Sequence, residues 1–129
     1  MQRAAILGDA LGLYFGRDPL RAADAAGLVY MRSAGLSTLR AVFLPALVPD
    51  GRAVIAISAS ASRRDILQWV AVALGHHFLG HRSFDAYLYG ADGPLFDDGA
   101  SAHDAFVFTQ CFFLGVDAQP TAQDEAARN

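Results

Sequence analysis

The chain has 129 residues, of which 53% are hydrophobic, and this predicts a single domain with a sizeable core. The formal net charge is -3, so nothing favours direct binding to nucleic acid or to an anionic membrane. Apolar stretches too short to span a bilayer, no secretory signal and a single cysteine together predict a cytoplasmic protein.

Two helices are predicted at the start of the chain. Apolar residues at helical spacing indicate a first helix from about residue 3 to residue 14. Asp18 and Pro19 are residue types typical of the N-cap and first position of a second helix, which should end at Gly27.

Three strands are predicted next, at residues 28–31, 37–44 and 53–57, and a further short strand is indicated at residues 86–89. The connection at residues 33–35 is short enough for a hairpin. We therefore expect a small, mostly antiparallel three-stranded sheet.

A central helix should follow, from about residue 63 to residue 79. Ser62 is the expected N-cap, with Asp65 in the capping-box position. Its middle is apolar on nearly all sides, which indicates burial, and a close backbone approach would explain Gly75.

A last helix is predicted between Ser101, as its N-cap, and Gly115. The predicted fold is therefore α+β, with the sheet packed on a central zincin-like helix and further helices at both ends. Residues 1–116 should form the one domain, and residues 117–129 a mobile tail.

The strongest chemical signal is the segment LGHHFLGH at residues 74–81. A catalytic zinc helix places two histidines four residues apart, and a glutamate beside the first histidine takes a proton from the metal-bound water. His76 stands where the second histidine would be. Val72 and Ala73 stand where the first histidine and the glutamate would be, and the one glutamate of the chain is Glu125.

This arrangement resembles the ImmA/IrrE family of metallopeptidases, in which a strand leads through a serine- and arginine-bearing turn into a His-Glu-Leu-Gly-His helix. Residues 54–57 are similar to that strand, Arg63 and Arg64 to the turn, and residues 103–107 to an element of the family's later helix. The resemblance implies a gluzincin-like zinc peptidase that cleaves helix-turn-helix repressors of phage, mobile-element or stress genes. Ala100 and Ala102 stand where its acidic third ligand is expected.

These departures predict a catalytically degenerate ImmA/IrrE-like domain with no bound cofactor. It would hold a peptide or protein, such as a helix-turn-helix repressor or an active paralogue, between the sheet edge and the central helix. We expect His76, His103 and Asp104 to line the pocket. His76 is the residual candidate metal ligand, or a buried histidine hydrogen bonded to Asp104 or to a backbone carbonyl.

Two alternatives stay open. The first is an active metallohydrolase that holds zinc or manganese at a shifted site formed by His76, His77, His81 and Asp104, with His103 or Asp85 as further candidate ligands. The second is a structural homo-oligomer that associates through Phe112 and Phe113.

Overall fold

A computed structural model describes residues 2–46, 51–81, 86–95 and 99–115. Its four helices and five strands confirm the predicted α+β class. The helices are α1 (Arg3–Tyr14), α2 (Pro19–Ala26), α3 (Arg63–Phe78) and α4 (Ala100–Leu114). The strands are β1 (Val29–Ser33), β2 (Ala41–Leu44), β3 (Val54–Ser58), β4 (Tyr87–Gly90) and β5 (Gly93–Leu95).

The sheet differs from the predicted three-stranded, mostly antiparallel one. It has five strands in the order β1-β3-β2-β4-β5, and β1 pairs with β3 in parallel, whereas the other pairs are antiparallel. The predicted hairpin is wrong because residues 34–36 form a 3-10 turn, with the Ser33 hydroxyl accepting a hydrogen bond from the Gly35 N–H. Ser37 then adopts a φ of 58°. The chain thus leaves β1 without doubling back along it, and β3 lies between β1 and β2.

Two of the predicted N-caps, Asp18 and Ser62, are confirmed. The Asp18 carboxylate accepts hydrogen bonds from the backbone N–H groups of Leu20 and Arg21, and the Ser62 hydroxyl accepts one from Asp65. The predicted cap of the last helix is wrong, because Gly99 occupies the N-cap position of α4 and Ser101 lies buried inside the helix. The predicted end of α4 is confirmed at Gly115, whose φ is 92°.

Helix α3 is central, as predicted, and packs against β3, α2 and α4. Every residue from 70 to 76 is buried. A Cβ atom on Gly75 would lie 3.1 Å from the Cα of Ala105, so the predicted close backbone approach is confirmed, and its partner is α4.

One side of α4 is occupied by α1 at backbone-to-backbone distance. A Cβ atom on Gly8 or Gly12 would overlap the carbonyl oxygens of Phe108 and Phe112 respectively, so only glycine fits at these two contacts. The Arg17 guanidinium also donates a 2.7 Å hydrogen bond to the Phe112 carbonyl oxygen. Helix α1 therefore covers this side and leaves another side of α4 available.

No helix within the described ranges is both long enough and apolar enough to cross a membrane. The predicted tail at residues 117–129 lies outside the described residues, as does Asp85.

Candidate functional site

His76 lies in the last turn of α3 with a fully buried side chain. Aromatic rings from two strands stack on it. The ring centroid of Phe43, on β2, is 5.3 Å away at an interplanar angle of 15°, and that of Tyr87, on β4, is 4.5 Å away at 29°. The imidazole is therefore packed between the helix and the sheet, where no solvent reaches it.

Both ring nitrogens of His76 are hydrogen bonded. The Nδ1 atom lies 2.8 Å from the Nδ1 atom of His81, and the Nε2 atom is hydrogen bonded to the Tyr89 hydroxyl. A neutral imidazole has one N–H donor and one acceptor nitrogen, so one of the two Nδ1 atoms donates to the other. The partners found are thus His81 and Tyr89, where the sequence had suggested Asp104 or a backbone carbonyl.

The two tyrosines are the residues around His76 that sequence reasoning missed. Tyr87 and Tyr89 are both buried, and they are two residues apart on β4, so they point to the same face of the sheet. The alternation in YLYG was a usable signal for a buried face. It could not indicate that this face would meet His76, because β4 reaches that position only through its pairing with β2.

Three of the four positions that would carry the missing chemistry are buried as well. Val72 and Ala73 have no solvent exposure and Ala102 has 2%, whereas Ala100, at the start of α4, is exposed. Val72 lies one helical turn before His76 on α3. In place of a polar site open to water, this part of α3 forms part of the apolar core.

Among the described residues, His77, His103 and Asp104 do not join His76 in a metal-ligating group. His77 is half-buried with its ring against that of Phe78, His103 is exposed, and Asp104 is half-buried near the start of α4. Within the described ranges there is no group of three or more histidine, cysteine, aspartate or glutamate side chains that could hold a metal ion.

A groove with a volume of about 720 Å³ lies between α3 and α4. Its walls come from the first turns of α3 and the second half of α4: Arg63, Arg64, Leu67, Gln68, Phe106, Thr109, Gln110, Phe113 and Leu114. The α4 residues recur at intervals of three and four, so they form one stripe along the helix. The groove therefore differs in place from the sheet-edge groove that the sequence suggested.

The charge of this groove is positive, although the chain as a whole carries a net charge of -3. Arg63 and Arg64 are its charged lining residues. Both are exposed, and neither side chain forms an ion pair or hydrogen bond with a residue that the structure describes. They stand in the first turn of α3, where the helix macrodipole adds partial positive charge.

Phe112 and Phe113, proposed above as an oligomer interface, have different environments. Phe112 is fully buried and stacks on Phe108 at 6.1 Å, whereas Phe113 is half-buried and lines the groove. Phe112 is thus a core residue, and Phe113 is the one that a partner could reach.

Comparison with protein-family models, with curated proteins and with solved structures found no match to this chain. The resemblance to ImmA/IrrE peptidases accordingly stays a prediction that rests on the residues named above.

Proposed function

We propose that this chain is a non-catalytic protein-binding domain, built like an ImmA/IrrE peptidase but without its chemistry. It would act by holding a segment of another protein. The regulatory setting, control of phage, mobile-element or stress genes, rests on the resemblance alone, as do the candidate partners, a helix-turn-helix repressor or an active paralogue.

The observation that carries the proposal is the closed environment of His76. Metal-assisted hydrolysis requires a metal with an open position, where a bound water can meet the substrate. The His76 ring is fully buried, both of its nitrogens are hydrogen bonded, and an aromatic ring stacks on it from each of two strands. A substrate could reach it only if the core opened.

The binding role is supported by the groove between α3 and α4. It combines an apolar floor, formed by Leu67, Phe106 and Phe113, with the arginine pair at one end. Ligand sites are commonly concave and apolar, with a few polar groups that fix orientation. This groove has that composition and is open to solvent, unlike the surroundings of His76.

The proposal is tested by measuring metal and hydrolysis in the same preparation. The full chain is purified without chelator, its zinc and manganese are counted by mass spectrometry, and cleavage of fluorescent casein is followed with and without added zinc. We expect metal well below one ion per chain and no metal-dependent cleavage.

Two variants make this test specific. His76→Gln alters the buried histidine, and Arg21→Gln alters an exposed side chain of α2 that belongs to no predicted site, as a control. Near-stoichiometric metal, or zinc-dependent cleavage, that disappears in His76→Gln and persists in Arg21→Gln would reject the proposal.

A further inference from the structure

We infer that the partner of the α3–α4 groove is an amphipathic helix of another protein, with large apolar residues on one face and acidic residues at the end that meets Arg63 and Arg64. This inference rests on the proposed binding function and specifies the chemistry of its partner.

The shape of the groove favours a helix. The α4 stripe runs from Phe106 to Leu114, which at a rise of 1.5 Å per residue is roughly 12 Å, or about two turns. Helices α3 and α4 run antiparallel here, because the start of α3 and the end of α4 line the same groove. A third helix that lies along this groove would pack on both helices. Grooves that bind amphipathic helices use this arrangement.

The groove floor and the adjoining Leu114 are apolar and accessible. Leu114 is 68% exposed, and Phe106 and Phe113 are half-buried. Contiguous apolar side chains of this kind, bordered by polar groups, are typical of interaction sites. Apolar residues three, four and seven positions apart on a partner helix would match the spacing of the α4 stripe.

Charge complementarity selects the kind of helix. The arginine pair has no ion-pair partner among the described residues, so an acidic partner side chain would not have to displace one. Charges of opposite sign across an interface favour encounter and fix the orientation of the bound segment. Acidic residues should therefore lie at the end of the partner helix nearest Leu114 and the start of α3.

Helix α1, the element of a second copy with the most exposed large apolar side chains, meets this requirement poorly. Helix α1 exposes Ile6, Leu13 and Tyr14, but its first turn carries no acidic residue and its one acidic residue, Asp9, lies 3.5 Å from Arg17 within the same chain. The exposed apolar side chains of α1 are therefore not accompanied by an acidic end, and a different protein fits the charge of the groove better.

The probe for this inference is a fluorescein-labelled synthetic helix of about 14 residues, roughly four turns. It carries leucines along one face and three glutamates at one end. One control peptide has lysines in place of the glutamates, and another has the same composition with the leucines distributed around the helix. Binding to the full chain is measured by fluorescence anisotropy at low and high salt.

Charge-reversal variants locate the site. Arg63→Glu with Arg64→Glu alters the groove, and Arg3→Glu with Arg21→Glu alters exposed arginines of α1 and α2. Each pair changes the formal net charge from -3 by -4, to -7, so the overall field is matched. Circular dichroism checks that both variants fold.

A second pair tests the apolar contact. Leu114→Glu alters a side chain that is 68% exposed in the groove, and Leu13→Glu alters one that is 65% exposed on α1. Because both side chains are mainly in solvent, neither change should prevent folding.

We expect the acidic peptide to bind the full chain. Each groove variant should lower the peptide affinity roughly tenfold or more, which corresponds to about 1.4 kcal/mol or more. Each control variant should keep an affinity within about threefold of that of the unchanged protein. High salt should also weaken binding of the acidic peptide, and the lysine peptide should bind more weakly than the acidic one. The inference is overturned if the acidic peptide does not bind, if lysine and glutamate peptides bind alike, or if groove and control variants lose affinity equally.

Two further outcomes would assign the groove to a different occupant and overturn the inference. One is a concentration-dependent dimer, seen by sedimentation, that Leu114→Glu abolishes and Leu13→Glu preserves. The other is a tenfold gain in peptide affinity when Asp117, Asp124 and Glu125 are changed to their amides, which would identify the chain's own terminal segment as the occupant. Neither outcome depends on the metal and casein assays, so the two proposals can fail separately.

Discussion

Replacement of Tyr89 by phenylalanine should lower the free energy of unfolding by about 1–3 kcal/mol, because it removes one hydroxyl and leaves the buried Nε2 atom of His76 without that hydrogen bond. Tyr89 and His76 are both fully buried, so water cannot replace the hydroxyl without a rearrangement of the core. For a domain of this size, each 1 kcal/mol corresponds to a shift of about 3–5 °C in Tm.

A double-mutant cycle separates this hydrogen bond from the loss of packing. In the double variant Tyr89→Phe with His76→Leu, both partners of the bond are apolar, and neither leaves the other unsatisfied. The double variant should therefore lose less stability than the sum of the two single variants, by at least about 1 kcal/mol. Tyr30→Phe alters a half-exposed tyrosine of β1 and serves as the matched control. Its free energy of unfolding should stay within about 0.5 kcal/mol of that of the natural chain.

Urea unfolding followed by tryptophan fluorescence measures the cycle well. The chain has one tryptophan, Trp69, and its ring lies 5.0 Å from that of Tyr89. The signal therefore reports on the same part of the core, and far-ultraviolet circular dichroism checks that the whole domain unfolds with it. Additive losses in the double variant, or a Tyr89→Phe variant as stable as the Tyr30→Phe control, would refute the assignment of a buried His76–Tyr89 pair.

The α1–α4 contact predicts that Gly8→Ala lowers the free energy of unfolding by about 1–3 kcal/mol, since the new methyl would overlap the Phe108 carbonyl oxygen. In Gly75→Ala the new methyl would lie 3.1 Å from its nearest neighbour, and the free energy of unfolding should change by no more than about 1 kcal/mol because the higher helix propensity of alanine offsets the tight contact. Guanidinium titrations that show equal losses for Gly8→Ala and Gly75→Ala would contradict this difference. Burial, and then the negative charge of Asp9, raise the pKa of the Cys111 thiol, so the folded chain should react with Ellman's reagent more slowly than the unfolded chain. The stability that the neutral thiol contributes is fully present below the pKa of the unfolded thiol and is lost as pH rises through the higher folded pKa. Equal thiol reactivity in the two states would show that the site is open.

The helices could be predicted because their signals are local. Asp18 followed by Pro19, and Ser62 three residues before Asp65, are capping patterns contained within one turn. The order of the strands could not be predicted in the same way. It depends on Ser37 adopting a positive φ and on β1 pairing with β3 across more than twenty residues, and neither appears as a local pattern.

Two residues of the site could be predicted. The motif singled out His76 and His81, whose Nδ1 atoms lie 2.8 Å apart, but the partners Tyr87 and Tyr89 belong to a strand that reaches His76 through the sheet. The groove was hidden for a related reason. The stripe from Phe106 to Leu114 is visible in the sequence, yet α4 is apolar on several sides, and only the position of α1 shows which side stays open.

Helix α3 divides into two halves with different physical roles. Residues 70–76 are fully buried, and Val72 and Ala73 among them add apolar contact at positions where a working zinc site would need water. The first turn is exposed and carries the arginine pair of the groove. Arg64 and His76 are twelve residues apart, or roughly 18 Å along the helix axis. Sites at such a separation contribute independently, so substitutions in the groove should change peptide affinity without changing the stability that the His76 cluster provides.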